Sequence, residues 1–405
     1  MWYAGIDWSD QHHEVVVIDE QGQRVASCRV PHTPEGVAEL TTFLHQTLGT
    51  APAAQELACL IETTHGLLIT ALLDAGFAVY PVNPKTVDRR RKPSGAKTDA
   101  IDAYLLAKTG RSDLADLRRL TPDSPLVQEL KALTRDQDGL IQMQTRLVNQ
   151  LTACLKAYYP VALSLFTKLQ QPLTLAFLQT YPTLEAARGA SVAQLAELLQ
   201  QHHHPTASTT AQTLHARLQQ PQLEADPITT RTKSRLLLAL VSQLAPLLDQ
   251  IQRYDAEITR LFLQHPDSVS FSSLPRAGKR LAPRLLAGWG DERERYGSAA
   301  SVQALAGTSP VAYESGKYAK AHRRYACVKA FRNALYQFAW QSTFAEAWAE
   351  AYYRRKRAEG KSHSMAVRAL ANGWVRIIQA MWLQRLPYAA STFLAAQQAH
   401  AGQVA

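Results

Sequence analysis

The rhythm of apolar and polar positions changes twice along the chain. Over residues 1–110 short apolar runs alternate with helix-spaced patterns. YAGIDWS is a brief apolar run ending in Asp7. HEVVVIDEQGQRVASCRV reads as a second and third strand joined by a turn at Glu20-Gln21-Gly22. Thr33 and Pro34 open a helix with apolar positions at Val37, Leu40, Phe43 and Leu44. LACLIE predicts a buried strand ending at Glu62, GLLITALLDAG a helix closed by Gly76, and FAVYPVN a fifth strand. Three strands in an antiparallel meander, then helix, strand, helix, strand, helix, is the order of a ribonuclease-H-like α/β sheet.

From about residue 124 to 265 the strand signals vanish. Leu126–Tyr159 keeps apolar residues at helical spacing: Leu130, Leu133, Leu140, Ile141, Leu147 and Leu151. Thr230–Leu263 does the same with Leu236, Leu240, Leu244, Leu248, Ile251 and Ile258. Two such amphipathic helices suit an antiparallel coiled coil. Between them, about 160–229, lies a Gln-rich, Pro-punctuated helical segment. Residues 270–390 are helical in pattern, basic and rich in aromatics. The expected organisation is 1–120, an α/β ribonuclease-H-like (Holliday-junction-resolvase-like) domain; 121–265, a helical coiled-coil and dimerisation region with an inserted helical segment; 266–390, an all-α C-terminal domain; and 391–405, a disordered tail.

Composition narrows the partners. The formal net charge is +10, from 44 Lys and Arg against 34 Asp and Glu. That balance favours a polyanion, nucleic acid or a membrane surface. No apolar run reaches the roughly 18 residues a spanning helix needs, and MWYAGIDWSD does not read as a signal peptide. The expectation is therefore no membrane and a cytoplasmic, nucleoid-associated location. Cys28, Cys59, Cys154 and Cys327 form no CxxC pair, which argues against a zinc site and fits a reducing compartment. His202, His203 and His204 lack spaced partner ligands and read as a solvated loop.

Four acids stand where a metal site would need them. Asp7 and Glu62 end strands that lie side by side in such a sheet. Asp99 and Asp102, in KTDAIDAYLLA, are three residues apart on one face of a predicted helix. Hard divalent cations take oxygen ligands, and phosphoryl transfer uses several carboxylates around one or two ions. Each acid also has an ordinary explanation by itself: Asp7 as a turn cap, Glu62 as a surface residue, Asp99 as a first-turn acid favoured by the helix dipole. Just before the acidic pair, Lys85, Arg89, Arg90, Arg91, Lys92 and Lys97 form a basic run opposed only by Asp88. Pro93, Ser94 and Gly95 make the run a loop, suited to holding a phosphate backbone.

GIDWSDQHHEVVVID, LIETTHG and VNPKTVDRRRKPSGAKTDAIDAYLLA together resemble the DEDD-type transposases of bacterial insertion sequences. More narrowly they are similar to the bridge-RNA-guided recombinases. The resemblance covers nearly the whole chain and puts the family's four acids on Asp7, Glu62, Asp99 and Asp102. It implies Mg²⁺ (or Mn²⁺) on that quartet. Further on, SSLPRAGKRLAPRLLAGWG fits a helix-turn-helix with a glycine-containing turn facing a DNA phosphate. The family's PGIG turn reads here Pro275-Arg276-Ala277-Gly278, with its first glycine replaced and Lys279 and Arg280 adding charge. ALAGTSPVAYESGKYAKAHRRYA resembles the family's second signature and puts its nucleophilic serine on Ser315, among Lys317, Lys320, Arg323 and Arg324. Taken alone, Ser315 is a turn serine before a glycine.

The resemblance implies a transposase acting on double-stranded donor and target DNA through a phosphoserine intermediate. Ser315 would come from a partner protomer of a homodimer or homotetramer, and a structured bridge RNA would choose the sites. Two other readings stay open: a metal-dependent Holliday-junction resolvase without serine chemistry, and a non-catalytic nucleic-acid-binding protein. A sugar-kinase-like relative is disfavoured, since no glycine-rich phosphate loop follows the first strand. Trp340, Trp348, Tyr352, Tyr353 and Trp374 lie among bases in the third region and are assigned mostly to packing.

Overall fold

The alternation read over the first 110 residues becomes a five-stranded sheet in the computed structural model, which describes residues 1–47, 56–90, 97–316 and 318–392. The strands are β1 (Trp2–Trp8), β2 (His12–Ile18), β3 (Arg24–Pro31), β4 (Leu57–Ile61) and β5 (Ala78–Pro81). Their order is β3-β2-β1-β4-β5. The first three pair antiparallel, whereas β4 runs parallel to β1 and β5 parallel to β4. This is the ribonuclease-H-like arrangement that the order of elements predicted. β4 is buried along its whole length, as a strand covered on both faces must be.

The helices of this half are α1 (Pro34–Thr47), α2 (Leu67–Asp74), α3 (Pro84–Arg90) and α4 (Asp99–Asp113). Leu40, Leu44, Leu68, Ile69 and Leu72 of α1 and α2 pack with Ala4, Ile6, Val15, Val17, Cys59 and Ile61 on one face of the sheet. Ala103, Leu106 and Ala107 of α4 pack with Tyr3, Val16, Ile18, Ala58 and Leu60 on the other. Each fully buried leucine contributes about 1.5–3 kcal/mol by leaving water. Residues Met1–Pro122 form one compact unit and the chain from Asp123 onward a second.

The second unit is built on α5 (Pro125–Tyr158) and α11 (Pro227–Gln264). Their starts are written in the sequence. Ser124 and Asp226 cap them, accepting from Val127 N–H and from Ile228 and Thr229 N–H, and a proline follows each cap. The helices run antiparallel: Gln137 donates to Asp255 at 2.6 Å near one end, and the Cys154 thiol donates to the Lys233 carbonyl at 3.3 Å near the other. The short helices α6 (Ala162–Leu165), α7 (Pro172–Thr180), α8 (Leu184–Arg188), α9 (Val192–Gln201) and α10 (Ala207–Gln219) lie between them in sequence. They close a core over Leu151, Leu155, Leu237 and Leu244.

At the opposite end Leu130, Ile258, Leu261 and Phe262 join a second core. It is formed with α12 (Ser268–Ser272), α13 (Gly278–Trp289), α14 (Ala299–Leu305), α15 (Lys329–Ser342), α16 (Ala347–Ala358) and α17 (His363–Gln384). Trp289, Trp374 and Trp382 are buried there, each indole N–H donating to an internal acceptor.

Three expectations change. The C-terminal region is not all-α: β6 (Val311–Ser315) and β7 (Tyr318–His322) form an antiparallel hairpin, with Gly316 in its turn at φ 56°. The apolar seam of the long pair is uneven in its middle, where Leu244, Leu247 and Ile251 of α11 are buried but α5 offers at most partly buried residues. Between Gln137 and Leu151 no α5 residue is fully buried. Leu236 is 43% exposed, and Leu237 takes the inward place. In the run LLLALV several phases satisfy the pattern, and packing selects one. Last, Pro84–Arg90 is a helix, not part of a loop. Asn83 Oδ1 accepts from Lys85 N–H at 3.0 Å and the buried Val87 pins the turn to the core. Residues 393–405 of the expected tail lie outside the described residues.

Candidate catalytic centre and nucleic-acid interface

Sheet register places the first two acids. Ile6 of β1 lies opposite Ile61 of β4, so Asp7 and Glu62 follow at the next step of two parallel neighbours. Alternation along β1 sends Ala4 and Ile6 toward α1 and α2, and Tyr3, Gly5 and Asp7 toward α4. Helix α4 begins over that face. Thr98 caps it, its hydroxyl accepting from Ile101 N–H at 3.2 Å. Asp99 is its first residue, and Asp102, buried at 6% exposure, stands one turn further.

The approach of α4 to β1 is very close. A Cβ on Gly5 would fall 1.9 Å from the Ala103 carbonyl oxygen and 2.5 Å from the Ala107 nitrogen. Glycine is therefore required for the helix to lie against the strand that ends in Asp7.

Asp7 feels the charges of the other three acids. The carboxyl of Asp7 is pushed up from 3.8 to about 6, first by burial, then by the charges of Asp102, Asp99 and Glu62; Lys97 pulls the other way. Among the described residues no three such side chains already surround one point at ligand distance. What is in place is a shared face and a shared electric field. Glu14, not singled out in the sequence, lies directly opposite Asp7 in the β1–β2 register, but its carboxylate is paired with Arg29 at 4.0 Å.

The predicted cations fall into several environments. Lys85 and Arg89 are exposed on α3 and Lys97 is exposed before α4. Arg90 turns inward to the end of α4, donating to Ser112 at 2.9 Å and pairing with Asp113. Arg91, Lys92 and Lys317 lie outside the described residues.

In the second unit Arg276 and Gly278 make the bend into α13, with φ 57° and 58°. Arg276, Lys279 and Arg280 line a cleft of 540 Å³ with Arg284, Trp340 and Gln341. Arg280 is held by Asp255, donating at 3.0 and 2.7 Å, and Arg284 by Asp138 at 3.2 Å. Arg284 was not singled out in the sequence, although it lies one turn beyond Arg280 on the same helix face. Ser315 closes β6 and is exposed, Lys320 follows on β7, and Arg323 and Arg324 come directly after the hairpin. No helix among the described residues is long and apolar enough to cross a membrane.

Both signatures fall inside known families. Residues 4–160, which contain all four acids, match a model described as a transposase of the DEDD, IS110 type. Residues 270–354, which contain the α13 bend and Ser315, match a model described as "Transposase IS116/IS110/IS902 family". The mini-circle putative transposase for IS117 of Streptomyces coelicolor is 30% identical over 378 residues, 91% of each chain. The chain belongs to the IS116/IS110/IS902 family of transposases.

This transposase is thus an enzyme of a DNA-cleaving and recombining class. It is also similar to the 42 kDa protein of insertion element IS900 of Mycobacterium paratuberculosis, 28% identical over 97% of this chain and 98% of that one. The 44.8 kDa protein of IS116 from Streptomyces clavuligerus is 29% identical over 94% of each. T. thermophilus RuvC, solved in complex with a Holliday junction substrate, matches 30% of this transposase and 99% of its own chain. The identity is 17% and the TM-score 0.23, a likeness too slight to carry weight beside the strand order itself.

Proposed function

We propose that this transposase cuts and rejoins double-stranded donor and target DNA with two chemical groups, a cation-holding acidic quartet and a serine nucleophile. The observation that carries the reading is the electrostatics of Asp7: burial and three neighbouring carboxylates hold its pKa near 6. Like charges gathered at the ends of β1 and β4 and the start of α4 call for a counter-cation. The all-oxygen donor set of Asp7, Glu62, Asp99 and Asp102 fits Mg²⁺ or Mn²⁺. Bound there, such an ion would offset the charge that develops on a scissile phosphate.

Ser315 then attacks the phosphorus. A serine Oγ–P bond forms, the bond to one DNA oxygen breaks, and the serine proton passes to that departing oxygen, leaving a free DNA hydroxyl. The phosphoserine conserves the phosphodiester energy, so a second DNA hydroxyl reverses the step without net hydrolysis. Lys85, Arg89 and Lys97 on one unit, and Arg276, Lys279, Lys320, Arg323 and Arg324 on the other, hold the DNA backbone. The nucleophile comes from a partner protomer of a dimer or tetramer, in the cytoplasm at the nucleoid. A bridge RNA choosing donor and target rests on the family resemblance, supported by the net charge of +10.

The test uses the purified protein with its co-purifying RNA and supercoiled donor DNA. The expected result is a protein–DNA adduct that needs Mg²⁺ and disappears in Ser315→Ala and in Asp7→Asn. Sequencing the co-purified RNA should return one structured species; random fragments would remove the guide. A second reading is favoured by one fact: all four acids belong to the first unit, which suits a resolvase-type nuclease without serine chemistry. In that case Ser315→Ala still cuts, and no adduct forms in the wild type.

A further inference from the structure

The hairpin that presents Ser315 has two unlike faces. Directly paired residues share a face, and side chains alternate along each strand. The register Val311↔His322, Tyr313↔Lys320 and Ser315↔Tyr318 therefore sets Val311, Tyr313, Ser315, Tyr318, Lys320 and His322 on one side. The other side holds Ala312, Glu314, Ala319 and Ala321. The aromatic side is organised although its residues are all exposed among the described residues. Tyr313 meets Tyr318 edge-on at 5.9 Å and His322 at 6.0 Å, and the Lys320 ammonium lies 5.1 Å from the Tyr318 ring centre. Tyr313 is 58% exposed and Tyr318 44%.

An isolated two-stranded hairpin is marginal in water, and large exposed aromatic faces mark a binding surface. Charge selects the partner. Lys320 lies on the face, Arg323 and Arg324 follow the hairpin directly, and Lys329 opens α15. The one acid of the ten strand residues, Glu314, is on the opposite side. A polyanion fits, and aromatic rings beside cations fit one with unpaired bases, since stacking needs open base faces. We infer that Tyr313, Tyr318 and His322 form a stacking platform for an unpaired DNA strand. Seated there, the strand is held against the same face that bears the Ser315 hydroxyl. The platform makes Tyr313, Tyr318 and His322 positioning residues for the nucleophile, and it rests on the reading that the Ser315 hairpin engages DNA.

The test uses the full-length protein with a single-stranded oligothymidylate containing iodouracil, beside a duplex of the same length. Photocrosslinks should map to Tyr313 or Tyr318. The Tyr313→Ala/Tyr318→Ala protein should bind the single strand about tenfold or more weaker, while the Phe/Phe protein keeps its affinity. Thermal melts of all variants should match the wild type, because the hairpin buries no core. Crosslinks mapping elsewhere, unchanged single-strand affinity in the Ala/Ala protein, or equal loss on the duplex would overturn the platform. So would crosslinking of this face to a second protein copy.

Binding and crosslinking need no serine hydroxyl, so they are repeated in Ser315→Ala. Tyrosine crosslinks there, without any adduct in the wild type, would sink the nucleophile and leave the platform standing. An adduct formed at undiminished rate by the Ala/Ala protein would do the reverse.

Discussion

A carboxyl group half buried among other carboxylates gives up its proton late, and Asp7 does so near pH 6 instead of 3.8. Between those two values the folded protein holds a proton that the unfolded chain has released. The Asp7 contribution to the stability of the metal-free protein therefore falls as pH rises through that window, and the loss is complete above the folded value. His13 and His265, held below the usual histidine range by burial, act in the opposite sense, so the Asp7 effect is read as a difference. In thermal melts without divalent ions the wild-type Tm should drop relative to that of Asp7→Asn from about pH 4 to about pH 7. Asp7→Asn should melt higher than the wild type at neutral pH, yet cut no DNA. Added Mg²⁺ should raise the wild-type Tm and leave that of Asp7→Asn almost unmoved; equal shifts in both would remove Asp7 from the cation site. A second residue carries a different strain. Arg276 occupies the left-handed region at φ 57°, at the place where the family turn has a glycine. A side chain there costs about 1–2 kcal/mol, so its charge is retained against a local penalty. Arg276→Gly should gain about 1 kcal/mol in denaturant melts and lose DNA affinity, with the salt slope of binding falling by about one. A stabilised variant with unaltered binding would show that Arg276 meets no phosphate.

At the scale of elements, the acidic site depends on how closely α4 lies on β1. Gly5→Ala puts a methyl group into the Ala103 carbonyl, and the helix carrying Asp99 and Asp102 must move away from Asp7. Expected are a loss of about 2–4 kcal/mol in unfolding and strand cleavage that fails even at temperatures where the variant stays folded. Cleavage at the wild-type rate would mean that the position of α4 does not matter to the chemistry. Much of this arrangement was legible in the chain, because strands covered on both faces, capped helix starts and prolines at the first helical turn are local signals. The quartet was legible because its acids sit at strand ends and at a helix start, with a family resemblance linking them. What was not legible depended on partners. The arginine run and Pro93-Ser94-Gly95 hid the α3 helix, whose anchor is the buried Val87. The phase of Leu236 against Leu237 is decided by neighbours, not by periodicity. The Ser315 hairpin was passed over because five-residue strands without a core beneath them give little burial signal, although Gly316 between Tyr313 and Tyr318 marked its turn.

Over the whole molecule, the acids belong to the unit Met1–Pro122 and Ser315 to the unit from Asp123 onward. A site that needs both can be completed within one chain or between two chains of an oligomer. Two inactive proteins decide between these. Asp7→Asn retains a sound serine, and Ser315→Ala retains sound acids. In a mixed oligomer with the site shared between protomers, the acids of the second protein face the serine of the first, and one site in the assembly is whole. Mixing should then restore adduct formation, with the DNA attached solely to the Asp7→Asn chain, which a size tag on one partner makes visible on a gel. With both groups drawn from a single chain, every site in the mixture is missing one of them and no adduct appears at any ratio. The yield should also follow the statistics of subunit exchange, highest near equal amounts of the two proteins. An adduct that rises in simple proportion to one of them would instead point to residual activity in that variant.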